Sequence, residues 1–538
     1  MYFGVRAYAP SSVVRATLAT RDHLTQDDVV TFFVSTFPET RQAYAFAVNP
    51  FGVQLDGVLT EGTRGSEGQS RFGELTGGRE LVDPSPDFVF HSKGRLTDFG
   101  FEIEVEIPFK SIRFPAKPTQ DWTLHVERTH RASGAVSSWV PAKRAAASYL
   151  GQAAPLSGLR DLRRGPVLDI TPVVTSTVIG GPAGLDAWDY RGGRPEFGAD
   201  VRWGATTDLT LSATVRPDFS QVESDAGQVQ YDPRSALFFP EKRAFFLEGS
   251  ELFETPSNLV YTRQIIQPIV ATKLAGNFSG MGLGLLAAVD DRVGSRTGED
   301  HPVHGIARIV KSLGPGARLG GLYTGRFDGS DRNHVLGVDG RITIAGRATL
   351  DLLGAGSFTR ESLARTDAAM WTTAFNVNGR RLSFRYTFDG IGERFAAGSG
   401  FIGRAGIVNL RTANQVTFYG PKRSLIERVS LDFTPFLTWR YADFVAGRGL
   451  QDDKWHINSN WRFRGGWTAQ ASFVYERAAA RKINSLRVDW LVAFQPNPGT
   501  VMFAGYGASH QNDAAVARSS FRRIADGFFV KLSYLFRL

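Results

Sequence analysis

From about residue 165 to the C-terminus, apolar and polar positions trade places at almost every step. Leu209, Leu211, Ala213 and Val215 alternate with Thr210, Ser212, Thr214 and Arg216, and Leu382, Phe384, Tyr386 and Phe388 with Ser383, Arg385, Thr387 and Asp389. Further on, Trp455, Ile457, Trp461 and Phe463 oppose His456, Asn458, Asn460 and Arg462. Leu486, Val488, Trp490, Val492 and Phe494 oppose Arg487, Asp489 and Gln495, and Phe528, Val530, Leu532, Tyr534 and Phe536 oppose Lys531, Ser533 and Arg537. A period of two marks strands whose two faces meet different surroundings. In these segments the apolar face often begins and ends with Trp, Tyr or Phe, while Arg, Asp, Asn and Gln crowd the other. Lipid outside, aromatic girdles at its two interfaces and a wet lumen account for that arrangement. The pattern predicts a transmembrane antiparallel β-barrel of about 16–18 strands over residues 165–538. An even number is expected, with closure pairing every backbone group without water.

The first 164 residues read differently, as a β-sandwich. Val29–Val34 is a short, nearly continuous apolar run, expected of a strand covered on both faces. Phe101, Ile103, Val105 and Ile107 alternate with Glu102, Glu104 and Glu106, a half-buried strand with an acidic outer face that Pro108 ends. Residues 62–70 form a Gly/Ser-rich polar loop. The boundary falls near 164, in the charged run 160–164 ahead of Gly165-Pro166. The first residues already read as a strand rather than a basic, apolar leader, so no signal peptide is expected in this chain and the sandwich is expected to be truncated at its start.

One segment of the second half breaks the alternation. Residues 217–257 hold Pro217-Asp218-Phe219-Ser220-Gln221-Val222-Glu223 and then Phe238-Phe239-Pro240-Glu241-Lys242-Arg243-Ala244-Phe245-Phe246-Leu247-Glu248-Gly249. About forty residues without strand period exceed a hairpin turn. The expectation is a segment folded into the lumen or against its rim, with its Phe pairs packed and Asp218, Glu223, Glu241, Lys242, Arg243 and Glu248 paired to the wall, acting as a constriction or stabilising plug.

Composition narrows the chemistry. The chain has 538 residues, 58 Gly, 40 Phe and no Cys, which excludes disulfides and thiolate sites. Its net charge of +9 is spread from end to end rather than gathered in one patch, against a nucleic-acid partner. No apolar run is long enough for a spanning helix. Motifs of serine hydrolases, zinc proteases and phosphate loops are absent. The pair His301 and His304 is read as part of a polar loop in which a dedicated metal site is not expected.

The blocks 217–223, 238–243 and 245–249 resemble the signature of a group of bacterial outer-membrane proteins in which a domain similar to carbohydrate-binding module family 9 precedes a C-terminal β-barrel. Asp27-Asp28-Val29, the stretch 44–54, Gly100-Phe101, Ile107-Pro108-Phe109, Trp122 and Trp139-Val140-Pro141 follow the same pattern in order. The resemblance implies an outer-membrane location, a lipid-bilayer partner and a saccharide ligand. Short turns and both termini of an even barrel face the periplasm, which puts the first domain there.

Sugars stack their C–H faces on aromatic rings while carboxylates and amides take the hydroxyls, so Asp27, Asp28, Asn49, Gln54, Trp122 and Trp139 are the candidates. Each has a plainer reading: Trp122 as core, Trp139 as an edge anchor, and Asp27-Asp28 as a turn cap or part of a Ca²⁺ site. No other cofactor is expected. Glu102, Glu104 and Glu106 share one strand face and read as a solvated acidic surface rather than a catalytic pair. Three functions follow: a barrel that binds or positions a saccharide without catalysis; a glycan-active enzyme hydrolysing O-glycosyl bonds; or a structural envelope protein without a sugar ligand.

Overall fold

The computed structural model describes residues 1–61, 82–163, 167–216, 238 and 241–533, apart from 19, 23, 25–26, 38–41, 85, 133, 144–145, 147, 176–177, 183–187, 193–195, 242, 315, 363, 422, 465–466, 479–482, 498–499 and 514–519. The 62–70 loop lies outside these residues.

Nine strands build the first domain: β1 (Tyr2–Tyr8), β2 (Val29–Ser35), β3 (Gln42–Val48), β4 (Gln54–Thr60), β5 (His91–Thr97), β6 (Gly100–Glu106), β7 (Trp122–His130), β8 (Ala135–Ser138) and β9 (Ala154–Leu156). They form two antiparallel sheets, one ordered β1-β6-β5 and the other β4-β3-β2-β7-β8, with β9 also on β7. The apolar run of β2 lies mid-sheet and is covered on both faces. Val30, Phe32 and Val34 pack with Phe101, Ile103 and Val105 of the facing sheet, while Phe33 meets Ala43, Ala45, Leu59 and Leu150 behind. On β6 the alternation divides as the sequence predicts, with Glu102 outside, hydrogen-bonded by Arg6 and Arg95. The last backbone hydrogen bond tying this domain together reaches Asp161.

The second part holds β10 (Leu168–Thr175), β11 (Val178–Pro182), β12 (Trp188–Gly192), β13 (Glu196–Gly204), β14 (Leu209–Val215), β15 (Pro268–Phe278), β16 (Met281–Asp290), β17 (Val303–Gly314), β18 (Ala317–Asp328), β19 (Asp331–Ile344) and β20 (Ala348–Glu361). It continues through β21 (Ala364–Val377), β22 (Leu382–Ile391), β23 (Ile407–Tyr419), β24 (Ile426–Arg440), β25 (Asp452–Phe463), β26 (Trp467–Ala478), β27 (Ile483–Asn497), β28 (Thr500–Asp513) and β29 (Arg522–Ser533). Apart from the separate β11-β12 hairpin, these strands form one 18-stranded sheet in chain order, β10-β13-β14 and onward to β29, each antiparallel to the next. The count falls within the expected 16–18. Among the described residues β10 and β29 end the sheet and do not pair with each other.

The sheet is curved. Ala271 of β15, Leu286 of β16, Ile306 of β17, Leu322 of β18, Val335 of β19, Leu353 of β20, Met370 of β21 and Ile391 of β22 join one apolar cluster with Phe245, Phe246, Phe253, Leu259 and Ile265. Eight flat strands would span roughly 34 Å at about 4.8 Å each, too far for their side chains to share one short segment. The other face is apolar and uncovered: Leu319, Leu336, Val338, Ile342, Leu352, Phe358, Phe418 and Ile457 are all exposed. On β19 it runs from Leu336 to Ile344, about 27 Å along the strand. At a tilt of roughly 40° that is about 20 Å of height, close to the ~25 Å band of an outer-membrane barrel.

Connections sort by end. The turns 205–208, 279–280, 315–316, 345–347, 378–381, 420–425, 464–466 and 498–499 are short and share one end. The first domain sits there, where the Phe114 N–H reaches the Thr207 carbonyl at 3.4 Å. The long connections 216–267, 291–302, 392–406 and 441–451 all open at the other end, together with the tight links between β18 and β19 and between β20 and β21. Two sequence expectations need correction. Among the described residues the non-strand stretch before β15 continues past 257 to 267, because Leu259 and Ile265 anchor in the apolar cluster instead of joining the sheet. His304 belongs to β17 rather than a loop: it alternates inward with Ile306 and Arg308 and is fully buried, its Nδ1 2.9 Å from Ser399 Oγ.

Candidate lumen site

The stretch 241–267 enters from the long-loop end and lies against the inner wall. Glycines make its seat. A Cβ on Gly284 would lie 2.8 Å from the Phe253 ring, one on Gly282 3.2 Å from Leu252, and one on Gly337 3.3 Å from Leu259. The inner faces of β16 and β19 are thus hollowed where the segment's largest apolar side chains land, and the cavity each would otherwise leave is filled. A second inward loop, 392–406, supports it: the Tyr261 N–H donates to Ser399 O at 2.8 Å and the Phe401 N–H to Asn258 O at 2.8 Å. Asn333 of β19 fixes that loop in turn, its Nδ2 donating to Ala396 O at 3.0 Å and its Oδ1 accepting the Gly398 N–H at 2.6 Å.

Charges complete the attachment. Arg243 is buried; it grips Glu241 through Nε (2.8 Å) and Nη2 (2.7 Å), donates through Nη1 to Ile265 O at 2.7 Å, and lies 4.2 Å over the Phe246 ring. Lys273 of β15 donates to the carbonyl oxygens of Phe245 and Glu248, and Arg202 of β13 pairs with Glu248 at 2.8 Å. Glu248 thus meets the wall, whereas Arg243 and Glu241 pair within the segment. Asp218, Glu223 and Lys242 lie outside the described residues. Deeper on the same wall, Arg308 pairs with Asp339 at 2.5 Å and Arg341 with Asp351 through two hydrogen bonds. Buried charges of this kind tolerate their site only when paired.

The wall from β22 to β26 is lined by amides and matched charges. Asp389 accepts Arg411 Nη2 at 2.6 Å and Asn409 Nδ2 at 3.0 Å; Asp432 accepts Gln415 Nε2 at 2.8 Å and Asn458 Nδ2 at 3.4 Å. Of these residues the sequence showed Asp389 and Asn458 on the polar faces of alternating strands, but not what they would meet.

In the first domain, four candidates are held by internal hydrogen bonds. Asp27 accepts from Thr17 Oγ1 at 3.0 Å and Asn49 Nδ2 at 2.8 Å, and Asn49 Oδ1 accepts the N–H groups of Phe51 and Val53. Asp28 accepts the N–H groups of Arg15 (3.0 Å) and Arg131 (2.7 Å). Gln54 donates to Phe90 O and Ser92 Oγ and accepts from Arg21. Asp27, Asp28 and Asn49 are buried. Trp122 is buried too, among Phe109 and Phe114, with its indole N–H donated to Gln120 Oε1 at 3.0 Å, which gives it the core role of its two readings. Trp139 stands 62% exposed just beyond β8. Among the described residues no three His, Asp or Glu side chains are placed to hold a metal.

A residue the sequence did not single out joins the two parts. Arg113 leaves the sandwich and donates to the Ala275 carbonyl of β15 and to Glu251 Oε1, both at 3.1 Å.

A family described as a domain of unknown function (DUF5916) matches residues 187–276, which take in β12, β13, β14, the inserted stretch and most of β15. Among solved structures, the chain is similar to the crystal structure of Pseudomonas aeruginosa OccK11 (OpdR), with a TM-score of 0.24 and 11% identity over 78% of this chain and 92% of that one. It is similar also to that of P. aeruginosa OccK3 (OpdO), with a TM-score of 0.24 and 10% identity over 77% and 90%. At that score neither adds an argument to the architecture. No curated protein matches the chain.

Proposed function

We propose that this protein is an outer-membrane β-barrel, its lumen narrowed by the inward-folded stretch 241–267, and that its first domain lies in the periplasm and holds a saccharide near the barrel mouth. The observation that carries the membrane reading is the continuous band of exposed apolar side chains around a sheet whose inner face is polar or filled. Water alone would leave that band as an apolar surface far beyond the few hundred Å² that soluble monomers expose. The sheet's connections beside the first domain are all short and its long ones lie at the other end, which supports the periplasmic side.

The saccharide reading rests on the resemblance of the first domain and on Trp139, whose indole remains free to stack. Detergent extraction and heat-modifiable gel mobility test the barrel. Passing the purified chain over a polysaccharide panel tests the ligand: retention without product supports binding, reducing-end release moves the function to glycan hydrolysis, and no retention leaves a structural envelope protein.

A further inference from the structure

We propose that Arg113 is a latch by which the first domain holds the lumen segment in place, so that a change in that domain alters the opening of the barrel; the inference rests on the barrel reading above. The root of Arg113 is rigid. Its neighbours Ile112 and Phe114 are buried in the sandwich core, its N–H donates to Tyr44 Oη at 3.0 Å, and its carbonyl accepts Thr36 Oγ1 at 2.5 Å. From that root the side chain passes out of the domain and into the barrel mouth, where only 13% of it is exposed.

There the guanidinium makes two contacts at once, one to the fixed wall at Ala275 O and one to the inserted segment at Glu251. Glu251 lies in the turn Ser250–Phe253, whose next two residues sit on Gly282 and Gly284. Behind that turn, Gly249 takes a left-handed backbone (φ +71°), and a Cβ there would stand 2.9 Å from the Ala275 side chain. The turn therefore rests against the wall at the point where Arg113 clamps it. Glu251 is itself 9% exposed, so losing Arg113 leaves a carboxylate in a place that water reaches poorly. A planar, two-armed donor suits this junction, and a lysine, with a single ammonium on a flexible stem, would hold one side at a time.

The test uses the full chain in detergent and in planar bilayers. Arg113→Ala and Glu251→Ala are expected to speed hydrogen exchange of residues 249–253 and to raise open probability about tenfold, within the 5- to 150-fold usual for coupled sites. The double reversal R113E/E251R is expected to restore both only in part, because a carboxylate at 113 remakes the ion pair but cannot donate to the Ala275 carbonyl, and Arg113→Lys to fall between. Arg95→Ala, on the outer face of the same domain, is the control and leaves both readouts unchanged. If Arg113→Ala does not fold, Glu251→Gln reads the same contact from the other side. Normal exchange at 249–253 and normal gating in folded Arg113 and Glu251 variants overturn the latch. A wild-type chain that shows no heat-modifiable mobility and never inserts overturns the barrel reading instead, while the exchange comparison still decides the Arg113 contact.

Discussion

Trp122 and Trp139 show how one residue type takes opposite work from its surroundings. Trp122 is enclosed by Phe109 and Phe114, and truncating it removes its ring contacts and leaves a cavity. Trp122→Ala is expected to cost about 3–5 kcal/mol of first-domain stability. Trp139→Ala is expected to cost less than about 0.5 kcal/mol, because its ring is mostly in water. Urea unfolding followed by hydrogen exchange in β2 and β7 separates the two, and loss of retention on a saccharide column in Trp139→Ala alone marks it as the platform. Asp56 carries a different signal. Burial pushes its carboxyl up from 3.8 to about 6, against the Phe88 N–H and the Arg21 guanidinium, which favour the charged form. The folded domain thus binds this proton more tightly than the unfolded chain does. Its contribution is fully present below about pH 3.8, declines as pH rises, and is gone above about 6. The decline is on the order of 2–3 kcal/mol. It is read as the opening free energy of amides in β4 across that range, and Asp56→Asn is expected to flatten it.

Among the elements, the strands were the most legible part of the chain. Alternation in β14, β22, β25, β27 and β29 needs only neighbours in sequence, and a face of one kind keeps its period whatever it meets. The inserted stretch was legible as an interruption and not as a seat. Gly282, Gly284 and Gly337 look like ordinary strand glycines until Leu252, Phe253 and Leu259 arrive from elsewhere in the chain to occupy them. The hydrogen bonds that hold Asp27, Asp28, Asn49 and Gln54 were hidden for the same reason. Arg15, Thr17, Arg21 and Arg131 are remote in sequence or lie in irregular segments with no period, so polar residues that suit a sugar were already committed to backbone and side-chain partners. Arg113 gave no signal, being one basic residue in an apolar turn. The seat can be tested as an element. Gly284→Val places methyl groups where the Phe253 ring lies, so the stretch around 250–257 is expected to lift and become open to limited proteolysis. The sheet is expected to keep its heat-modifiable mobility, since the pairs Leu274–Leu285 and Leu285–Ala307 on the outer face are untouched.

At the scale of the molecule, parity and connection length together support the proposed orientation. Strand β10 starts beside the first domain, each later strand reverses direction, and an even count brings β29 back to the same end. No connection between neighbouring strands at that end exceeds six residues, whereas 216–267, 291–302, 392–406 and 441–451 all lie at the other, which fits the periplasmic and extracellular sides of a bacterial barrel. Two positions separate this orientation from its inverse with little risk to the fold. Gly298 sits in the connection 291–302 with a positive φ and no atom within 4 Å of its Cβ position, and Gly346 sits likewise in the turn 345–347. A short epitope inserted at either point meets open solvent, so the insertion itself costs little. Antibody added to intact cells is expected to label the epitope at 298 and not the one at 346. Permeabilising the outer membrane is expected to bring the second to the level of the first. Labelling in the reverse order places the first domain outside the cell, and a saccharide held there would be met before the barrel rather than after it. Equal labelling of both sites in intact cells contradicts a sheet that separates two compartments, and with it the lipid that the exposed faces of Val338, Leu352 and Phe418 require.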